Sequence, residues 1–166
     1  MNDDHWLLRL DAAAWLRAAA AELSAGERRV DHRRTAVTHA RRSAGMALNA
    51  LLRAEAGATP ETVDDDPALL RWGRSYVDHL RALADATDPA ACAPLPARAA
   101  ELARALMAIG PTPPQGLVQL GAAPNAAGRQ ALSLAGELVA LAAAALSLAP
   151  GQAPAAPSGE PPDDPE

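Results

Sequence analysis

Two side chains in the stretch RWGRSYVDHL, residues 71–80, have types and spacing that could do chemistry together: Arg74 and His79. A histidine exchanges its proton near neutral pH, and a guanidinium holds a phosphate in a planar fork. Together the two could act on a phosphate ester. On one continuous helix, five steps turn the chain by about 500°, so the two side chains point about 140° apart. A single chain then cannot bring both to one phosphate unless the helix is broken; two chains could, across a dimer seam. The same phase places Arg74 opposite the apolar stripe of Leu69, Tyr76 and Leu80. It predicts i, i+4 pairs of Arg74 with Asp78 and of Arg81 with Asp85. His79 flanks the core in this reading and is not expected to act as a general base.

The other concentration of charge is ERRVDHRRTAVTHARR, residues 27–42. It holds three Arg-Arg pairs, with His32 and His39 between them and only Glu27 and Asp31 in opposition. At helical spacing Arg34, Thr38, Arg41 and Gly45 form one stripe, and the glycine would let something approach the backbone closely. A guanidinium stripe suits phosphate. The predicted ligand-binding residues are therefore Arg34, Thr38, His39, Arg41 and Arg42. The competing reading is a solvated face paired with Asp64, Asp65 and Asp66 or with the C-terminal tail. The formal charge of −5 opposes strong nonspecific nucleic-acid binding. Glu160, Asp163, Asp164 and Glu166 carry four of those negatives, however; removing them from −5 leaves −1 for residues 1–149.

Other chemistries find little support. No Gly-rich turn precedes a Lys-Ser or Lys-Thr pair, so no phosphate loop is present. His5, His32, His39 and His79 share no i, i+3 or i+4 spacing, and Cys92 stands alone, so no metal site is expected. Ser43 and Ser75 lack the glycines of a nucleophile elbow. No cofactor is expected.

The elements that would position these residues are helices. The chain has 166 residues, 49% apolar and only 2% aromatic, with no Lys and no Phe. Ala and Leu, strong helix formers, dominate, and no alternating β-branched run appears. The absence of Lys beside abundant Arg, Ala and Pro reads as a bacterial GC-rich coding bias. Helix 1 is predicted from near Asp4 to Arg29, with Leu8, Ala12, Trp15, Leu16, Ala19 and Leu23 on one stripe. Helix 2 is predicted from Asp31 to Ala56, burying Val37, Ala40, Ala44, Ala47, Leu48 and Leu51. The short connection makes the two an antiparallel hairpin. Asp66-Pro67 is a start signal for helix 3, which buries Leu69, Trp72, Tyr76, Leu80 and Leu83. Pro94 and Pro96 open helix 4, with Leu95, Ala99, Leu102, Leu106 and Ile109 inward and Gly110-Pro111 as the stop. Helix 5 is predicted from Ala126 to Ala149. It is apolar nearly all round, so it is either central in the bundle or covered by a second copy.

The predicted fold class is all-α: an up-and-down bundle of about five helices over residues 1–149, followed by a disordered Pro-rich acidic tail, 150–166. A short extended piece near Leu117–Leu120 is the one exception to helix. Residues 131–149 are long and apolar, but Glu137 interrupts them, and a buried helix is preferred to a membrane span. With one cysteine and no signal-peptide pattern, the expected location is the cytoplasm, away from membranes.

Trp15-Leu16 with Ala19 and Leu23, then Ala36, Ala40, Ala44, Ala47 and Leu48-Asn49-Ala50-Leu51-Leu52, resemble the first two helices of the HEPN superfamily. The likeness covers residues 12 to 56. The Glu-Lys common before the Leu run is Gly45-Met46 here, and the following Lys is Asn49. Nuclease members carry an Arg and a His with four to six residues between them, generally in a later helix. Arg74 and His79 match by spacing, but Arg81 stands where those members often have Tyr. The resemblance implies a domain that binds a nucleotide or RNA phosphate, non-catalytic, within a toxin–antitoxin or defence system beside a partner encoded nearby. The alternatives are a dimerising interaction bundle without a small ligand and, behind it, a metal-independent ribonuclease using Arg74 and His79.

Overall fold

A computed structural model of the chain describes residues 10–55, 75–86, 95–112 and 125–148. Of these residues, 84% are helical and none lies in a strand. The helices are α1 (Ala12–Glu27), α2 (Arg33–Glu55), α3 (Tyr76–Asp85), α4 (Ala97–Ala108) and α5 (Ala126–Leu148). The all-α class therefore holds, with five helices among the described residues. Arg74, Leu69, Trp72, the Asp66-Pro67 start, the Leu117–Leu120 piece and the tail all lie outside the described residues.

α1 starts later than its periodicity suggests. Asp11 is in extended conformation and its Oδ1 accepts from the Ala14 amide at 2.6 Å, so Asp11 caps the helix rather than Asp4. A turn over 28–32 reverses the chain into α2, which packs antiparallel along α1. Ala19, Ala36, Val37, Ala40, Ala44 and Ala47 are fully buried between the two helices and their neighbours. Small residues bring the backbones close, and Ser43 Oγ uses that closeness to donate to the Ala19 carbonyl at 2.7 Å. A buried hydroxyl without such a partner would be costly.

α5 packs on α2, α1 and α4. Its start is fixed at the α1–α2 turn, where Asn125 takes a φ of 68° and its side-chain amide donates to Asp31 at 3.0 Å. Ala131, Leu132, Ala135, Leu138 and Ala142 form its buried stripe. Leu134, Val139 and Leu141 are only partly covered. So α5 lies against the bundle by one broad face rather than running through its centre. It is the one described helix long and apolar enough to cross a membrane, over Ala126–Ser147.

α3 and α4 pack on each other, α3 against α2 and α4 against α5. Leu80, Leu83, Leu95, Ala99, Leu102 and Leu106 complete the core. The predicted inward stripe of α4 is thus the observed one, with Ile109 partly buried at its end.

Candidate functional site

α3 begins at Tyr76. Ser75 is extended (φ −142°, ψ 158°) and caps the helix. Its Oγ accepts from the Asp78 amide at 3.2 Å and donates to Asp78 Oδ2 at 2.7 Å. Ser75 is thus a side-chain N-cap whose hydroxyl is held in turn by the Asp78 carboxylate. The single-helix phase relating Arg74 to His79 therefore fails at Ser75. The predicted i, i+4 pairing also shifts. Arg81 reaches back to Asp78 at 3.1 Å, one turn toward the helix start, instead of forward to Asp85.

His79 is buried rather than at the margin, with 2% of its surface exposed. Its Nδ1 lies 2.7 Å from Oδ1 of Asn49, itself fully buried on α2. With the amide oxygen toward the ring, the ring proton belongs on Nδ1. Among the described residues Asn49 Nδ2 is buried without a hydrogen-bond partner. The sequence reading missed Asn49 as a polar core residue, because it stood in a run of Leu and Ala. The only signal was its polarity on the side of α2 that faces α3.

The α2 arginines divide into structural and exposed groups. Arg33 donates from Nε and Nη2 to the Gly110 carbonyl at 3.1 and 3.0 Å. Arg41 donates from Nη2 to the carbonyls of Met107 and Ile109 at 3.2 and 3.0 Å. Both guanidiniums thus cap the C-terminal end of α4, where unpaired carbonyls and the helix dipole favour a cation. Burial, with Arg81 nearby, holds Arg41 below the ordinary arginine range; it stays charged at neutral pH. Arg104 does the same for α3, donating to Ala84 and Ala86 at 3.2 and 3.1 Å. Gly45 does admit a close neighbour, but the neighbour is protein: a Cβ there would stand 2.6 Å from the Tyr76 carbonyl oxygen.

Arg34 is exposed, and Thr38 Oγ1 donates to its carbonyl at 2.8 Å. His39 and Arg42 share one carboxylate, Glu22 Oε1, at 3.0 and 3.3 Å. Arg42 keeps about half its side chain in solvent, 47%. With exposed Arg28, Arg29 and His32 at the turn, Arg34 and Arg42 form a basic edge along the outer side of the hairpin. The structure thus leaves Arg34, Thr38 and Arg42 outward, ties His39 to Glu22, and assigns Arg41 to the α4 end. Among the described residues, no three His, Cys, Asp or Glu side chains gather as a metal site. No family model, curated protein or solved structure matches the chain.

The adjacent arginines 33 and 34 give a direct test of this division. Arg33→Gln should lower the unfolding free energy by about 1–2 kcal/mol, the loss of a charged pair of bonds to a half-covered carbonyl. Arg34→Gln should stay within about 0.5 kcal/mol, as for an exposed side chain. Urea denaturation of both variants measures the contrast; equal effects would contradict the assignment.

Proposed function

We propose that this chain is a HEPN-like helical domain that binds the phosphate of an RNA or nucleotide along the basic edge of the α1–α2 hairpin, without catalysis. The observation that carries the reading is the exposed set Arg28, Arg29, Arg34 and Arg42, opposed nearby by Glu27, Asp31 and the shared Glu22. The burial of Trp15, Ala19, Ala36, Ala40, Ala44, Ala47, Leu48, Leu51 and Leu52 supports the likeness to the HEPN hairpin. The absence of catalysis is supported by the burial of His79 and its bond to Asn49. A place in a cytoplasmic toxin–antitoxin or defence system, beside a partner encoded nearby, is part of the same proposal.

The test is a salt titration with a labelled single-stranded RNA, read by fluorescence anisotropy, with a nucleoside triphosphate as competitor. Binding should weaken linearly with log salt. Arg34→Gln/Arg42→Gln should reduce that slope by about 1.4, two phosphate contacts at 0.7 each. An unchanged slope, or no binding at low salt, would sink the reading. RNA incubated with wild type and with His79→Gln should remain equally intact. Cleavage by wild type alone would restore the nuclease alternative.

A second reading has its own support. The partly covered Leu134, Val139 and Leu141 on α5 suit a dimerising interaction bundle. Sedimentation equilibrium separates the two: a dimer that binds no RNA at any salt favours this alternative.

A further inference from the structure

Glu22 on α1 and His39 on α2 meet across the hairpin, and their contact fixes the state of the ring. His39 Nδ1 lies 3.0 Å from Glu22 Oε1. A carboxylate only accepts, so the ring proton is on Nδ1, and the lone pair of the neutral imidazole is on Nε2. Nε2 makes no hydrogen bond among the described residues, and it is not one of the buried polar atoms left without a partner. It therefore opens to solvent, in a side chain 22% exposed. The stem of the ring is clamped between the helices: a Cβ at Gly26 would stand 2.8 Å from His39 Cβ. Around the pair the wall is low. Ala18 and Ala25 flank Glu22 on the same side of α1, carry only methyl groups and are both partly exposed.

A ring held this way is arranged as a nucleophile. The carboxylate at Nδ1 sets the tautomer and offsets the positive charge that the ring gains when Nε2 forms a bond. Arg42 Nη1 reaches the same Glu22 Oε1 at 3.3 Å, while 47% of its side chain stays in solvent. Its remaining donors form a planar fork suited to phosphoryl oxygens. Ser43, one turn beyond His39, is no partner for a proton relay, because its Oγ is buried and donates to the Ala19 carbonyl. With no hydroxyl bonded to Nε2, the ring nitrogen itself is the reacting atom.

We propose that His39 Nε2 is a phosphoryl acceptor, with Glu22 as its positioning residue and Arg42 holding the phosphoryl oxygens. The donor is a phosphoramidate or an acyl phosphate, whose leaving group departs without an added proton. The Nε2 lone pair forms the N–P bond as the P–N or P–O bond of the donor breaks. Ammonia or a carboxylate leaves with the bonding pair, and the Nδ1 proton stays on the ring. The imidazolium so formed faces the Glu22 carboxylate. This step goes beyond the binding of RNA or a nucleotide and does not depend on it.

The full chain supplies its own control. His32, in the turn before α2, is exposed and makes no side-chain hydrogen bond among the described residues. Folded protein is incubated with phosphoramidate, digested at alkaline pH, where the N–P bond survives, and read by mass spectrometry at each histidine. His39 should take up phosphoryl groups about tenfold faster than His32, the gain expected where a charge-assisted bond strengthens in the transition state. Nitrogen–phosphorus coupling in isotope-labelled protein should place the group on Nε2. Glu22→Gln and Arg42→Gln should each bring the ratio of the two rates toward one and leave the His32 rate unchanged. A general loss of structure would instead alter both histidines. Equal rates at His32 and His39 in wild type would overturn the proposal, as would a phosphoryl group on Nδ1. So would a His39 rate that survives both substitutions. If Glu22→Gln fails to fold, the wild-type ratio and Arg42→Gln decide the matter.

Discussion

Leu80→Ala is expected to lower the unfolding free energy by about 2–5 kcal/mol, the range for a buried leucine truncated in a core that relaxes only in part. Leu80 has no exposed surface and sits on the buried side of α3 with Leu83 and His79. Its neighbour in sequence provides the control. Arg81 is 57% exposed and pairs with Asp78, so Arg81→Ala should cost about 0–1 kcal/mol. Chemical denaturation of the two variants tests the phase of α3. If Arg81→Ala were the more damaging, the helix would be turned the other way, and the burial of His79 would go with it. For a chain of this size, the leucine loss corresponds to a fall in Tm of about 4–20 °C.

Gly45→Ala should destabilise by about 1–3 kcal/mol, even though alanine favours a helix over glycine by about 1 kcal/mol. The added methyl would lie 2.6 Å from the Tyr76 carbonyl oxygen, which is backbone and has no rotamer by which to yield. The first turn of α3 must shift away from α2 instead. That turn carries the Ser75 cap, and one turn further on His79 reaches Asn49, so the shift should loosen this buried bond as well. A two-dimensional NMR spectrum should show the amides of Ser75 through His79 moving together, while those of α1 stay in place. A variant as stable as wild type, with Tyr76 unshifted, would mean that α3 does not rest on Gly45.

Two buried stripes were legible from spacing alone. Val37, Ala40, Ala44, Ala47, Leu48 and Leu51 recur every three or four residues, and all six are buried on α2. Ala99, Leu102 and Leu106 do the same on α4, with Leu95 buried just before its start. Both patterns are local: 3.6 residues per turn fixes which side chains share a face, whatever the partner helix is. Of the proposed site, sequence gave the charge and its clustering at the hairpin turn, because both are properties of residue type and proximity along the chain.

What only the tertiary structure decided are the long-range pairings. Asn49 and His79 are 30 residues apart, and each polar group needs the other to be buried cheaply. Arg33 and Gly110 are 77 apart, and Arg41 and Ile109 are 68 apart. Nothing in the spacing of residues 27–42 could separate Arg33 and Arg41, which cap α4, from Arg34 and Arg42, which face outward. The division depends on where the end of another helix lands. Gly45 shows the same limit. The sequence marked a place where something approaches the backbone, and only the packing of α3 on α2 showed that the visitor is Tyr76. Helical periodicity is set by neighbours within a turn or two. The partner of a buried polar group is set by how whole helices dock, and that is a property of the assembled bundle.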